Sequence, residues 1–526
     1  MTDPNPAPRP VPPRGPRWWP GILLVVFFLV GLVWVRAQAD WPFQQRNLTS
    51  AKIIIIFTIL MLVWWTFFSR MPNRLRLRIT FGVAVAMIAG IALFRIRGVS
   101  GDLVPILEFR WAKRELSATP TEVAQTNSVT IVHPLSDGTS PGFPQYLGPN
   151  RNGVLPGPRL ETNWVAFPPA VLWRHPVGAG WSGFVMVGDV GLTQEQRGAE
   201  ECVVGYDLAT GRQLWLHADP ARYASTIAGD GPRGTPTIWS NRVFTCGSTG
   251  ILNCFNLATG RRLWTRNAVM ESGGRVPDWG YASSPLVVDE LVIVHGGDDG
   301  RNSLLAFHAA DGKPAWSGGV SNPGYAALSL ATLAGAPQVL AFDSRVVSGH
   351  DPATGAALWK RPWGSGNAVC SLPVVVSTNR VLFSSGYGYG AELLEISRGT
   401  NAKFSAVLVW KSVRMKAKFA HLFVHDGNLY GLDDGIFACV NLADGSQLWK
   451  EGRYGHGQGL LVGEHYLLMA ESGELVLLRP TETAPDELAH FRVFKAKTWN
   501  PIALSGDLLL VRNDQEAACL RLKLAR

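Results

Sequence analysis

Hydrophobic and polar positions follow two different rhythms along this chain. In roughly the first hundred residues apolar positions come in nearly unbroken runs, at 18–36, 53–69 and 79–97. A membrane-crossing helix needs about 20 predominantly apolar residues. These runs are slightly short, but the arginines at their ends can snorkel and Trp18, Trp19, Trp64 and Trp65 suit a membrane interface. The pattern therefore predicts three transmembrane helices. From residue 141 the rhythm shortens to strand-length apolar runs, each closed by a turn and a returning strand, which predicts an all-β domain over 141–526.

The flanks of the apolar runs set an expected orientation. Arg9, Arg14 and Arg17 precede the first run, and Arg70, Arg74, Arg76 and Arg78 fill the connection between the second and third. The connection between the first and second is longer and less basic, so the positive-inside rule predicts a cytoplasmic N-terminus and an extracytoplasmic domain after residue 97. Arg95 and Arg97 run against this. A secretory leader would be one such run before a small-residue cleavage site; two more runs follow here, which reads as an anchor. Residues 1–17 are too proline-rich to fold and read as a disordered cytoplasmic tail, and 98–140 as a linker with a short surface helix over 102–116.

Within the large domain one pattern recurs, Asp-x-x-Thr-Gly-x-x-x-Trp or a close variant: YDLATGRQLW, FNLATGRRLW, FHAADGKPAW, HDPATGAALW and VNLADGSQLW, ending at Trp215, Trp264, Trp316, Trp359 and Trp449. Asp or Asn bonds the backbone two residues on, glycine supplies a positive φ, and the chain returns as a strand ending in tryptophan. Weaker copies end at Trp173, Trp410 and Phe494, so the ends are spaced by 39 to 52 residues. That period matches four strands per propeller blade. Three strands remain after Phe494 and a lone final strand precedes the first full unit. Pairing them predicts an eight-bladed β-propeller of four-stranded antiparallel blades, an N-terminal strand closing the last, preceded by three transmembrane α-helices.

Composition changes this picture little. The formal charge of +9 is partly concentrated beside the apolar runs, where topology accounts for it, so no nucleic-acid partner is expected. The six cysteines form no CxxC, CxxCH or Cys-Cys pair, which argues against a zinc ribbon, attached haem c or a vicinal disulfide. Cys254 and Cys439 share a repeat position and read as small apolar strand residues, one long-range disulfide being the alternative.

The five motifs resemble the tryptophan-docking repeat of the pyrroloquinoline-quinone (PQQ) repeat superfamily, which holds quinoprotein dehydrogenases and the propeller lipoprotein of the outer-membrane β-barrel assembly machinery. PQYLGPNRNGV, WGYASSPLVV, KFAHLFVHDGNLYGLDDG, GRYGHGQ and TWNPIALSGDLLLVRN are similar to segments of PQQ-binding-like propeller proteins. Two functions follow from the resemblance. A binding scaffold would require no cofactor and would serve other periplasmic or envelope proteins. A membrane-bound PQQ-dependent dehydrogenase oxidising an alcohol or sugar would use PQQ with calcium. The absent Cys-Cys pair and haem motif, and a propeller of about 385 residues with little room for covering insertions, favour the scaffold. The expected location is the bacterial inner membrane, with the propeller in the periplasm.

Propeller ligands sit at one mouth of the axis, on the loops preceding each innermost strand. That rule selects Arg233, Trp279 and Tyr281, then Asn367, Lys416 and Lys418, then Arg453, Tyr454, His456 and Gln458, and finally Trp499 with Asn500. Cations with aromatic faces would take a flat anion or an acidic peptide; alternatively, these are ordinary loop residues bonding between blades. His456 stands alone, and no His/Asp/Glu cluster has metal-ligand spacing, so no metal site or catalytic set is expected.

Overall fold

The computed structural model describes residues 15–112, 142–297 and 302–525. The chain divides between residues 112 and 113 into two compact units.

The first unit holds three helices long and apolar enough to cross a membrane: α1 (Trp19–Ala37), α2 (Phe43–Val63) continued as a π-helical turn over Trp64–Phe68, and α3 (Asn73–Leu93). The first two run antiparallel. Gly21 abuts the indole of Trp64, Phe28 stacks on Phe57 with ring centroids 4.2 Å apart, and Gly31 faces Ile53. The third helix begins before the expected boundary at 79 and ends at Leu93, short of 97. From Phe94 the backbone is extended, and Phe94–Val99 pairs with Pro105–Phe109 in a two-stranded hairpin. The helix expected over 102–116 is therefore a strand at Pro105–Phe109, because Pro-Ile-Leu-Glu-Phe alternates with period two and finds an antiparallel partner in Phe-Arg-Ile-Arg. Most of the proline-rich tail, and residues 113–141 of the expected linker, lie outside the described residues.

The second unit is an eight-bladed propeller. Blades 1 to 7 span 185–219, 237–267, 286–318, 329–362, 374–412, 423–453 and 458–492, each a four-stranded antiparallel meander. Blade 8 takes its inner three strands from 503–521 and its outermost from Ala170–Pro176. The first strands of blades 8 and 1, 2 and 3, 3 and 4, and 5 and 6 touch one another, which places first strands at the axis. The two chain ends are further tied by bonds from the Glu161 N–H to the Lys523 carbonyl and from the Ala525 N–H to the Arg159 carbonyl, both 2.9 Å.

The register explains the repeat. In every blade the third and fourth strands slip by one residue at the same place, opposite Trp173, Trp215, Trp264, Trp316, Trp359, Trp410 and Trp449. The equivalent position in blade 7 is Ala489, opposite Leu477, not the expected Phe494, which lies beyond the strand and is fully buried. Most of these indoles dock on the turn glycine of the next blade: Trp173 on Gly211, Trp215 on Gly260, Trp264 on Gly312, Trp316 on Gly355 and Trp410 on Gly445. Trp359 instead donates to the Gln338 side chain at 2.6 Å. All six cysteines are free, and Cys254, Cys439 and Cys519 each face a docking tryptophan across the sheet.

A segment ahead of the first blade fills the axis. Phe143 bridges to Met186 on the innermost strand of blade 1, and the Ile238 N–H of blade 2 donates to the Pro144 carbonyl at 2.7 Å. Val154 and Leu155 pair parallel to Leu461 and Val462 on the innermost strand of blade 7. Arg151, held in the left-handed region and buried, donates to the carbonyls of Ser284 (2.6 Å), Pro285 (3.1 Å) and Leu328 (2.7 Å) beside blades 3 and 4. His421 Nε2 donates to the Asn152 carbonyl at 2.8 Å, adding blade 6. Residues 143–155 thus plug the ring.

Candidate functional site

Above this plug the loops leading into the innermost strands form a mouth of aromatic faces and cations. On one side Trp499 packs against Trp181 (4.9 Å) and Phe419 (5.0 Å), and Phe419 meets the His456 ring edge-on at 5.5 Å. Lys497 Nζ stands 3.7 Å from the Trp499 ring centre and 4.8 Å from that of Trp181. Lys418, buried, lies over Tyr387 at 4.8 Å and Phe419 at 5.4 Å. Opposite, Trp279 and Tyr325 pack at 5.4 Å, and Arg233 covers Tyr223 at 4.5 Å. Such cation–aromatic pairs hold positive charge over flat surfaces.

The structure separates the expected residues into two kinds. Lys418, His456, Trp499 and Trp279 belong to the aromatic and cationic walls. Arg233, by contrast, is a staple: its guanidinium donates to the carbonyls of Gly231, Ala228 and Gly229 and to Ser248 Oγ, and burial lowers its pKa to about 10. Asn500 donates to the carbonyls of Gly180 and Ser182, tying blade 8 to blade 1, and Gln458 donates to the Phe419 carbonyl. Tyr281 is buried in the core between blades 2 and 3. Lys416 sits 2.9 Å from the buried Asp433 carboxylate, which Lys450 also meets at 3.0 Å. Arg453 is exposed at the end of the outermost strand of blade 6, and Tyr454 turns outward to donate to Glu487 at 2.6 Å. Asn367 is exposed and bonds back to the Ser365 carbonyl.

Trp181, Tyr325, Tyr387, Phe419 and Lys497 were missed. Trp181, Tyr325, Phe419 and Lys497 lie on the loops the rule names, so the rule could have found them. Tyr387 arrives from the GYGYG turn inside blade 5, which no spacing argument singles out. Cys370 shares this mouth; burial pushes its thiol up to about 12 against the pull of Lys418 and Arg233, so it is held as a neutral thiol.

A family model described as outer membrane protein assembly factor BamB matches residues 179–282 and 275–451. The chain belongs to the PQQ-repeat β-propeller family. Among solved structures it is similar to the quinohemoprotein alcohol dehydrogenase of Comamonas testosteroni, at 11% identity and TM-score 0.54, covering 73% of this chain and 81% of that one. The quinohemoprotein alcohol dehydrogenase ADHIIG of Pseudomonas putida HK5 gives 10% identity and TM-score 0.52 over the same shares. BamB from Moraxella catarrhalis gives 13% identity and TM-score 0.49, covering 67% of this chain and 99% of that one. At such identities the likeness is one of fold. No curated protein matches the sequence.

The family's quinone would need uncommitted cations, a flat face and carboxylates for its calcium. Trp181 and Trp499 supply the face, but Arg233 is spent on backbone carbonyls. Three of the buried carboxylates are spent as well, while another, Asp343, is buried just beyond the second strand of blade 4 and pushed toward its neutral form by burial. Glu195 holds Arg197, Tyr206 and the Gly178 N–H; Glu201 accepts from the Ser248 N–H and Thr249; Asp433 holds two lysines. Arg233 and these three carboxylates are therefore already committed within the propeller, leaving Lys418 and Lys497 as the cations over the aromatic faces.

Proposed function

We propose that this protein is a membrane-anchored interaction propeller without catalysis of its own. In this reading α1, α2 and α3 hold it in a bacterial inner membrane with a cytoplasmic N-terminus, and the propeller works in the periplasm on other envelope proteins. The observation that carries the reading is the plug: residues 143–155 occupy the axis, and Arg151 ties them to blades 3 and 4. What is left for a partner is a surface of stacked aromatics and cations, with Lys418, Lys497, Trp181 and Trp499 at its centre. Such a surface suits an acidic or aromatic-rich segment of another protein, gripped by ion pairing and stacking rather than by a deep cavity.

The test has two arms. Calorimetric titration of the detergent-solubilised chain with PQQ and calcium should give no saturable heat; micromolar binding accompanied by dye-linked oxidation of alcohols or sugars would overturn the scaffold in favour of a dehydrogenase. Photo-crosslinking from position 497 in whole cells should yield a discrete envelope-protein adduct, lost in Lys418→Ala.

A further inference from the structure

The hairpin that follows α3 has two unlike faces. Phe94 pairs with Phe109 and Ile96 with Leu107, so these four side chains share one face; Arg95 pairs with Glu108 on the other. The apolar face is bare: Ile96 is 55%, Leu107 62% and Phe109 55% exposed, and Trp111 just beyond is 69% exposed. Among the described residues the hairpin joins no other sheet. A lone two-stranded ribbon is marginal in water, and an apolar face of this kind needs a cover.

We infer that the cover is the bilayer interface, and that the hairpin lies flattened among the lipid headgroups with Phe94, Ile96, Leu107 and Phe109 turned toward the acyl chains. This rests on the reading that α1, α2 and α3 cross the membrane. Two observations favour lipid as the occupant. The first is continuity: no residue separates the end of α3 at Leu93 from the strand at Phe94. Beyond Arg78 the apolar part of α3 rises only about 22 Å, less than the roughly 30 Å hydrocarbon core, so Phe94 lies no farther out than the hydrocarbon boundary. The second is height. The Asp102 carbonyl at the hairpin tip accepts from Asn47 at 3.0 Å, and Asn47 stands on α2 six residues before Ile53, about 9 Å above where the apolar run begins. A strand of six residues is about 20 Å long, so a hairpin rising so little lies close to the membrane plane.

The charges agree. Arg95 is paired with Glu108 at 2.8 Å, and Arg110 donates to the Ile91 carbonyl at 2.9 Å, at the C-terminal end of α3. Both are therefore at home at headgroup depth.

Nitroxide labels at Ile96→Cys, Leu107→Cys, Phe109→Cys and Glu108→Cys test this in the full-length chain. Reconstitution is in phosphatidylcholine vesicles with and without phosphatidylglycerol, and collision with oxygen is compared with collision with a water-soluble nickel chelate. Five of the six native cysteines are buried, and the unsubstituted chain supplies the background from Cys370; circular dichroism checks that each variant keeps its propeller. The oxygen-to-nickel ratio should be several-fold higher at 96, 107 and 109 than at 108. Strong nickel collision at the three apolar positions means a water-facing hairpin, and low collision with both reagents means a protein cover; either overturns the inference. A label at Ile88→Cys on α3 separates the layers of the argument. If it is lipid-exposed while the hairpin is not, only the hairpin inference fails; if it too is water-exposed, the membrane reading fails with it.

Discussion

The indole of Trp173 lies against the α-carbon of Gly211: a Cβ placed on Gly211 would fall 2.6 Å from the ring, and Trp173 Nε1 donates to the Leu208 carbonyl at 2.8 Å. Trp173 comes from the strand that closes the ring and Gly211 from the first full blade, so this contact spans the seam. Trp173→Ala should lower stability by about 3–5 kcal/mol. Gly211→Val should be comparably damaging, since φ there is +72° and no room exists for a side chain. Chemical denaturation of the detergent-solubilised chain measures both, and a loss of well under 1 kcal/mol for either would contradict the docking account.

Asp433 faces both Lys416 and Lys450 and is fully buried. Burial pushes its pKa up, but the two lysines prevail and hold it below the usual carboxylate range. Asp433→Asn strands two ammonium groups, and the expected loss is about 3–5 kcal/mol. Combining it with Lys416→Met should recover part of that loss, which a double-mutant cycle reads directly.

His421 bonds the plug, and burial lowers its pKa from 6.5 to about 4. A depressed folded-state value means that the unfolded chain takes up the proton first. Stability is therefore whole above about pH 6.5 and is lost as pH falls toward 4. His295, buried and likewise lowered to about 4, adds to the same loss. The melting temperature should drop across this window, and more shallowly in His421→Gln; an unchanged slope in the variant would show that His421 does not titrate in the way described.

Arg151→Met should leave three buried carbonyls without a donor and cost roughly 2–5 kcal/mol, since each orphaned group forfeits about 1–3 kcal/mol and neighbours relax. Arg151→Lys should recover only part, because a single ammonium cannot reach three carbonyls across two blades. Hydrogen exchange at residues 143–155 should rise in both variants while the outer strands stay protected.

The blade count was readable because the turn of each repeat is a local chemical device: Asp207, Asn256 and Asp351 each cap their own turn through a side-chain oxygen. Phe494 misled because blade 7 replaces the tryptophan with Ala489, leaving no large residue at the marked place. The site was harder to read. Loop position picks out Lys418 and Trp499 as readily as Arg233 and Asn500, yet whether a side chain faces the mouth or a carbonyl depends on neighbouring blades dozens of residues away. The plug was invisible for the same reason. The segment PQYLGPNRNGV stood out as a motif, but its partners are the innermost strands of blades 1, 2 and 7 and the loops beside blades 3, 4 and 6.

The plug also decides how mechanical load enters the molecule. The chain coming from the membrane unit passes through Phe143, Arg151 and Leu155 before it reaches the seam strand Ala170–Pro176. A pull on the anchored end is felt first at the hub, where it is shared among six blades, and only afterwards at the rim. Tension applied from the N-terminal side would thus draw the spokes inward before it could unzip the wheel.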